Sequence, residues 1–342
     1  MKYKTLGNTG VLVSELCFGA MTFGGIGFWK AMGQVPQDEA NKLVKLALDG
    51  GINFIDTANV YSEGVSEQML GTSLQQLGVN RQQVVIATKL MGRMGPGANQ
   101  VGLSRLHIAD SLNDSLQRLN MDHIDLLYLH GADLMTPLDE TMRGLEDGVR
   151  SGKVRYLGVS NHPAWMVTKA NGYADKMGWT KFVAAQYFYS LAGRDAEREI
   201  IPMAQSENLT LMPWSPLAGG FLSGKYTRSQ PKPADSRREH FDFPYINKQK
   251  GYDIIDQLLG IGKTHGVSAG QVALAWLLHK PAVGSVLIGA KKPEQLADNI
   301  ASTRLQLSAE EMQQLDAISA LTPEYPGWMV ERQAQGRMLA AN

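Results

Sequence analysis

The chain has 342 residues, a length that either one large α/β barrel or two smaller domains can fill. Hydrophobic residues make up 44% and charged residues 19%, a balance that excludes disordered and collagen-like chains. The 33 Lys and Arg residues balance the 33 Asp and Glu residues, so we expect no broad cationic surface for nucleic acid or anionic lipid.

The cysteine count and the N-terminal sequence indicate a protein of a reducing compartment. Cys17 is the one cysteine, so no intramolecular disulfide is available, and the N-terminus MKYKTLGNTG lacks the apolar core of a signal peptide. No apolar run reaches the ~18–20 residues that a membrane span needs. The sequence predicts a cytoplasmic protein with no membrane or nucleic-acid partner.

The predicted elements begin with a small hairpin over residues 3–16 that turns at Gly7-Asn8-Thr9-Gly10. Eight short aliphatic runs follow, and most are nearly continuously apolar, as is typical of parallel strands buried on both faces. In chain order, the predicted strands are 16–21, 53–56, 84–89, 124–130, 156–160, 182–186, 210–213 and 285–289.

The segments between these runs carry apolar residues at steps of three or four, which predicts amphipathic helices. Two such faces are formed by Ile108, Leu112, Leu116 and Leu119, and by Leu138, Met142, Leu145 and Val149. Small polar residues with acids predict helix starts, and glycines predict helix ends. These signals are Ser66 with Glu67, Ser308 with Glu310 and Glu311, Gly50–Gly51 and Gly152.

Eight strand–helix units fit either an open doubly wound sheet or a closed barrel. The open sheet usually carries a glycine fingerprint after its first strand. The candidates Gly24-Gly25-Ile26-Gly27 and Gly92-Arg93-Met94-Gly95 have the wrong spacing for it. We therefore predict an α/β fold of the (β/α)₈ TIM-barrel class, as a single domain over residues 1–342 with a C-terminal tail at 321–342.

Three segments are longer than ordinary connections: 23–36, 218–247 and 321–342. Long connections in compact domains are usually functional or mobile, and we expect these at the C-terminal mouth of the barrel. They are rich in aromatic residues, of which Trp29 and Trp328 are the predicted substrate walls. An oligomer contact or a loose segment is the alternative for all three, above all for the tail, and the oligomeric state stays open.

Polar residues close three consecutive predicted strands, where barrel active sites lie. Asp56, Lys89 and His130 end their runs, and Tyr61 lies just beyond Asp56. A neighbouring ammonium lowers the phenol pKa, ordinarily about 10, by about one to three units. Lys89 can supply this charge, Asp56 can keep Lys89 protonated, and His130 can donate to a substrate oxygen, which together is general-acid catalysis on a carbonyl.

Other interpretations of these four residues stay open. A structural salt bridge and a hydrogen-bonded histidine are the plainer explanations for each residue by itself. A barrel aldolase that uses Lys89 as a Schiff-base nucleophile is an alternative enzyme, but it requires a neutral lysine. The remaining histidines fit no metal-ligand spacing, so we predict no metal.

The segment from Gly51 to Glu67, GINFIDTANVYSEGVSE, resembles the first signature of the aldo-keto reductases. The resemblance runs over almost the whole chain and implies a barrel that binds NADP(H) without a Rossmann domain. It places the family's catalytic Asp, Tyr, Lys and His on Asp56, Tyr61, Lys89 and His130. It implies hydride transfer to an aldehyde or ketone while Tyr61 gives the proton, reversibly.

The resemblance also implies the cofactor positions. Ser160, Asn161 and Gln186 match the carboxamide partners, and Trp214 matches the aromatic residue under the nicotinamide, with a core tryptophan as its alternative. The stretch from Trp214 to Arg228 is similar to the branch that includes potassium-channel β subunits, in which Lys225 and Arg237 hold the diphosphate. The alternative is that Lys225 and Arg237 are solvated cations at the protein surface. The full set adds Ala20, Met21, Asp56, Ser215, Pro216, Leu217, Ala218, Gly219, Gly289, Lys291, Gln295, Asp298 and Asn299.

Cofactor preference depends on the last of these segments. Many relatives carry an arginine for the 2′-phosphate of NADP where this chain has Gln295. Lys291 or Lys292 can compensate, so we expect NADP(H) over NAD(H), with Asp298 and Asn299 at the adenine. The leading hypothesis is an NADPH-dependent reductase of small-molecule carbonyls, and a cofactor-binding regulatory subunit is the non-enzymatic alternative.

Overall fold

The computed structural model describes residues 1–231, 238 and 241–338. The chain opens with an antiparallel hairpin of β1 (Tyr3–Thr5) and β2 (Leu12–Ser14), in which Tyr3 pairs with Ser14. This confirms the hairpin predicted over residues 3–16.

Eight further strands in the described residues form one parallel sheet. They are β3 (Leu16–Gly19), β4 (Phe54–Asp56), β5 (Val85–Leu90), β6 (Ile124–Leu129), β7 (Val154–Ser160), β8 (Phe182–Phe188), β9 (Thr210–Trp214) and β10 (Val286–Ile288). Their spatial order is β10-β3-β4-β5-β6-β7-β8-β9, and Gly284 N–H donates to the Leu211 carbonyl at 3.0 Å across the last gap. The sheet is therefore a nearly closed barrel, and the predicted fold class is confirmed.

Helices alternate with these strands and cover the outside of the barrel. The eleven α-helices of the described residues are α1 (Gln37–Asp49), α2 (Val65–Gln76), α3 (Arg105–Leu119), α4 (Leu138–Arg150), α5 (Ala164–Met177), α6 (Ile200–Ser206), α7 (Lys248–His265), α8 (Ala269–Leu278), α9 (Pro293–Ala301), α10 (Ala309–Ile318) and α11 (Gly327–Met338). None of the helices in these ranges combines the length and the apolar character of a membrane span.

The two-residue period of the strands divides the core into two parts. Phe54, Ala87 and Tyr128 belong to an inner cluster that includes Leu6 and Val13, so the hairpin packs into this interior. Ile55 and Leu129 belong to the cluster between barrel and helices. Since side chains alternate along a strand, the next inward positions after Phe54, Ala87 and Tyr128 are Asp56, Lys89 and His130.

The predicted helix starts and ends are confirmed, but the expected capping role of Ser66 is wrong. Ser308 caps α10 with Glu311 in a capping box, and Gly50 follows the end of α1. At α2, however, the N-cap is Gly64, and no side chain caps the helix. The Ser66 hydroxyl instead donates to the Ala20 carbonyl at 2.8 Å, because a tertiary partner lies within reach of it.

Candidate active site

Lys89 is the centre of the polar cluster inside the barrel. Its side chain is fully buried, and its ammonium donates to Asp56 Oδ1, to the Thr57 carbonyl at 2.8 Å and to Tyr61 Oη at 3.3 Å. An ammonium has three donors, so these contacts satisfy all of them. The strand period explains why Asp56 and Lys89 meet: both occupy inward positions at the carboxyl ends of neighbouring strands.

Burial and charge act in opposite directions on this pair. Burial lowers the pKa of Lys89, but the charges of Asp56 and Tyr61 and the hydrogen bonds to them raise it above its ordinary value. Burial raises the pKa of Asp56, and Lys89 and the hydrogen bond from Gln186 offset that shift only in part. We conclude that Lys89 is held as an ammonium next to a carboxylate.

Tyr61 begins a 3₁₀ turn (Tyr61–Gly64) that leads directly into α2. Ser62 (φ 49°), Glu63 (φ 57°) and Gly64 (φ 93°) are consecutive left-handed residues, a strained arrangement that needs support from its surroundings. The Ser62 hydroxyl supplies part of it: it donates to the Phe23 carbonyl at 2.8 Å and accepts from the Gly25 N–H at 2.9 Å. The turn is thus tied to the first long loop.

His130 follows β6 and faces Tyr61. The two ring centroids are 5.5 Å apart at an interplanar angle of 80°. Burial and then the charge of Lys89 lower the pKa of His130 to about 3, so its imidazole is neutral at physiological pH. A neutral imidazole keeps one N–H donor, which a substrate oxygen can accept. The structure therefore brings Asp56, Tyr61, Lys89 and His130 together.

The three amide and hydroxyl side chains expected at the carboxamide lie on β7, just after it and on β8. Ser160 Oγ donates to the Gln186 carbonyl at 2.7 Å, and Asn161 accepts from Trp214 Nε1 at 3.1 Å. Gln186 Nε2 also donates to Asp56 Oδ2 at 3.0 Å. This last bond connects the predicted cofactor positions to the Lys89–Asp56 pair, a link that sequence reasoning did not find.

Aromatic rings from two long loops surround this cluster. Trp29 packs on Tyr61 with centroids 5.0 Å apart, and Phe28 contacts Phe241 at 5.1 Å. Phe243 lies nearly parallel to Trp214, at 5.7 Å and 14°. Sequence reasoning missed Phe241 and Phe243, although an aromatic-rich Phe-Asp-Phe-Pro-Tyr run inside a long connection was a usable signal.

Described residues of the C-terminal tail contact one another and Arg198. Trp328 contacts the ring of Tyr325 at 6.2 Å, and Glu324 forms an ion pair with Arg198 at 3.1 Å. The role of Trp328 as a substrate wall stays a prediction.

The loop after β9 has an unusual backbone over the predicted diphosphate positions, Ser215, Pro216, Leu217, Ala218 and Gly219. Ser215 (φ 52°) and Ala218 (φ 49°) are left-handed, as are Gly219 and Gly220, and the Gly219 N–H donates to Ser215 Oγ at 2.8 Å. A Cβ on Gly220 would lie 3.9 Å from Lys225 Cε. The lysine arm thus runs beside a glycine backbone.

Arg237 lies outside the described residues. Its neighbour Arg238 is buried and donates from Nη1 to the Ala218 carbonyl at 2.8 Å and from Nη2 to the Pro244 carbonyl at 2.9 Å. Arg238 therefore ties the segment of Phe243 to the loop after β9.

The remaining predicted positions follow β3 and β10. The Ala20 N–H donates to the Asp56 carbonyl at 2.8 Å, and Met21 comes next in the chain. Gln295 accepts from the Lys291 N–H at 2.9 Å. Of the last three positions, Asp298 accepts from Ser268 Oγ at 2.7 Å and from Gln271 Nε2 at 2.6 Å. The other two contact each other, since Asn299 donates to the Gly289 carbonyl at 3.4 Å. Within the described ranges, no group of three His, Cys, Asp or Glu side chains is placed to hold a metal ion.

Comparisons with known proteins agree with this architecture. Residues 15–320 match the model of the aldo/keto reductase family. The chain is 37% identical to a probable voltage-gated potassium channel subunit beta of Oryza sativa subsp. japonica, over 95% of this chain and 94% of the relative.

Two further relatives carry oxidoreductase names. The uncharacterized oxidoreductase YrpG of Bacillus subtilis (strain 168) is 37% identical, over 96% of this chain and all of the relative. The versiconal hemiacetal acetate reductase of Aspergillus parasiticus is 33% identical, over 96% and 99% of the two chains. These findings support an oxidoreductase of carbonyl compounds.

Proposed function

Because the chain belongs to the aldo/keto reductase family, we propose that it reduces an aldehyde or ketone to an alcohol with NADPH, reversibly, with Tyr61 as general acid. One observation carries this proposal: the buried Lys89 ammonium, paired with Asp56, contacts Tyr61 Oη at 3.3 Å. The family generally uses NAD(P)H. When bound, the nicotinamide supplies the hydride for the carbonyl carbon.

The proton comes from Tyr61 Oη. As that oxygen gives up its proton, negative charge develops on it next to the Lys89 ammonium, where a buried cation is worth more than in water. Asp56 keeps Lys89 charged and oriented. Neutral His130 donates a hydrogen bond to the substrate oxygen, which orients the carbonyl toward Tyr61.

The residues present fit a dinucleotide. Hydroxyl and amide groups of Ser160, Asn161 and Gln186 offer the donors and acceptors that a carboxamide needs. The left-handed loop after β9 leaves room for close backbone approach, and Lys225 lies beside it. Lys291 and Lys292 are exposed at the start of α9 and offer positive charge for a 2′-phosphate, which favours NADP(H) over NAD(H).

The remaining positions of the site are proposed in the same way. Ala20, Met21, Pro216, Leu217, Gly289, Asp298 and Asn299 complete the cofactor site, and Trp29 and Trp328 are the substrate walls. The whole chain, 1–342, acts as one domain with a tail at 321–342. Trp29 already packs on Tyr61, so its indole bounds the space in front of the phenol.

A Schiff-base aldolase is the weaker candidate because of the charge on Lys89. Attack on a carbonyl carbon needs a free amine, whereas Asp56 raises the pKa of Lys89 against the effect of burial. Borohydride reduction in the presence of an aldehyde substrate is expected to leave the mass of the Lys89 peptide unchanged. A trapped adduct on that peptide would favour the aldolase.

The test of the proposal is NADPH consumption, followed spectrophotometrically over aldehydes, diketones, sugars and steroid-like ketones and repeated with NADH. Tyr61→Phe removes the acid and little volume, so we expect kcat to fall by about 10²- to 10⁴-fold while NADPH affinity is retained. Tyr173→Phe, on α5 outside the barrel, is the matched control. Full activity in Tyr61→Phe would contradict the role of Tyr61.

The names of two relatives favour a second candidate, a cofactor-binding regulatory subunit. Relatives from Oryza sativa subsp. japonica and Arabidopsis thaliana are named probable voltage-gated potassium channel subunits beta. The same screen separates the two functions. A regulatory subunit is expected to retain NADP(H) tightly and to turn over slowly with every carbonyl, whereas a reductase shows rapid turnover with at least one class.

A further inference from the structure

Glu67 is a buried carboxylate that the proposed chemistry does not use. It lies in the first turn of α2, directly after the turn that carries Tyr61, and its side chain is fully shielded from solvent. Its two oxygens have different partners: Oε1 accepts from Thr88 Oγ1 at 2.5 Å, and Oε2 accepts from Arg118 Nε at 2.7 Å. A buried charge is retained at low cost only with partners of this kind.

Thr88 connects this carboxylate to the strand that carries Lys89. Thr88 and Lys89 are adjacent on β5, so their side chains lie on opposite faces: Lys89 points into the barrel and Thr88 toward the helices. On the inner face, Lys89 Nζ contacts Tyr61 Oη at 3.3 Å. On the outer face, Thr88 contacts Glu67. The Lys89–Tyr61 contact and the Thr88–Glu67 contact therefore join β5 to the same segment, residues 61–67.

Arg118, on α3, packs against the turn that carries Tyr61. A Cβ on Gly64 would lie 2.6 Å from Arg118 Cδ and 2.9 Å from its Nε, so the arginine side chain passes directly against the turn. Gly64 has a φ of 93°, and Ser62 and Glu63 before it are also left-handed. The Glu67–Arg118 pair thus holds a strained turn from outside the barrel.

From these contacts we propose that Glu67 is a positioning residue: through Thr88 and Arg118 it sets the distance between Tyr61 Oη and Lys89 Nζ. Its effect on catalysis rests on the proposed function, whereas its effect on the Tyr61 turn does not. A second link, between Ser66 Oγ and Thr57 Oγ1 at 2.9 Å, ties the same helix start to the residue after Asp56.

Two substitutions at Thr88 separate this role from packing. Thr88→Val keeps the shape of the side chain and removes the donor to Glu67, whereas Thr88→Ser keeps the donor and removes a methyl group. Because small displacements of reacting groups reduce rates strongly, we expect Thr88→Val to lower kcat by about 10- to 100-fold. KM and NADPH affinity change by about twofold or less, since the substitution removes no group that binds the substrate equally in the ground state and the transition state. Thr88→Ser stays close to wild type.

Amide hydrogen exchange of residues 61–67 measures the turn without reference to activity. We expect faster exchange there in Thr88→Val than in wild type and Thr88→Ser. Thr141→Val is the matched control, because Thr141 is also buried and donates to the Leu103 carbonyl at 3.0 Å, away from this segment. It should leave exchange at 61–67 unchanged.

The outcomes decide the two proposals separately. Unchanged exchange at 61–67 in Thr88→Val would overturn the role of Glu67, whatever the activity. Equal effects of Thr88→Ser and Thr88→Val would also overturn it, because packing would then explain both. A wild-type protein that reduces no carbonyl would refute the proposed function, and exchange would still decide the positioning.

Discussion

The Lys89–Asp56 pair predicts an opposite pH dependence for its two single variants. Lys89 is fully buried and Asp56 is 1% exposed, so removal of either partner leaves a charge without its counterion inside the barrel. We consider Lys89→Met, Asp56→Asn and the double variant. Each single loss is expected to reduce the free energy of unfolding by about 3–5 kcal/mol at neutral pH.

The direction of the pH effect depends on which charged residue of the pair is left without its counterion. In Lys89→Met, burial raises the pKa of Asp56 above its unfolded value of about 3.9. The variant therefore keeps its stability below about pH 3.9 and loses stability as the pH rises through the folded pKa of Asp56. In Asp56→Asn, burial lowers the pKa of Lys89 below its unfolded value of about 10.4, so stability is lost as pH falls below that value. Each slope approaches about 1.4 kcal/mol per pH unit between the two pKa values.

Urea unfolding followed by circular dichroism at about pH 5, 7 and 9 measures these differences. The double variant should lose less than the sum of the single variants, by about 3 kcal/mol or more, because it leaves no unpaired charge. Lys45→Met is the control, since the Lys45–Asp49 pair is exposed and contributes about 1 kcal/mol or less. Additive losses, or parallel pH trends for the two single variants, would refute the argument.

Two further predictions concern the cofactor and His130. Replacement of Lys291 and Lys292 by alanine should weaken NADPH more than NADH, measured by fluorescence titration, and an unchanged ratio would place 2′-phosphate recognition elsewhere. The pKa of His130 is lowered to about 3, below its unfolded value of about 6.5, so His130 contributes stability that is lost as pH falls through this window. His130→Gln should therefore lose less stability than wild type between about pH 6.5 and 4 in urea unfolding, and an equal acid sensitivity would contradict the shift.

The barrel and the positions of its inward-facing polar residues were predictable from the sequence. Both depend on local periodicity: apolar runs define buried strands, and the two-residue alternation puts Asp56, Lys89 and His130 on the inner face. Neighbouring parallel strands then bring these residues to the same end of the barrel. Strand limits shifted by up to about two residues, as is usual for element ends.

The tertiary structure decided which partner each side chain takes. Gln186 bonds to Asp56 across 130 residues, Glu67 bonds to Arg118 across 51, and Phe243 comes from a long loop to lie on Trp214. Ser66 shows the same limit. A serine near a helix start predicts a cap, but the Ser66 hydroxyl donates to the Ala20 carbonyl instead. Periodicity specifies the face on which a side chain lies, whereas its partner depends on loop paths and helix packing that involve distant parts of the chain.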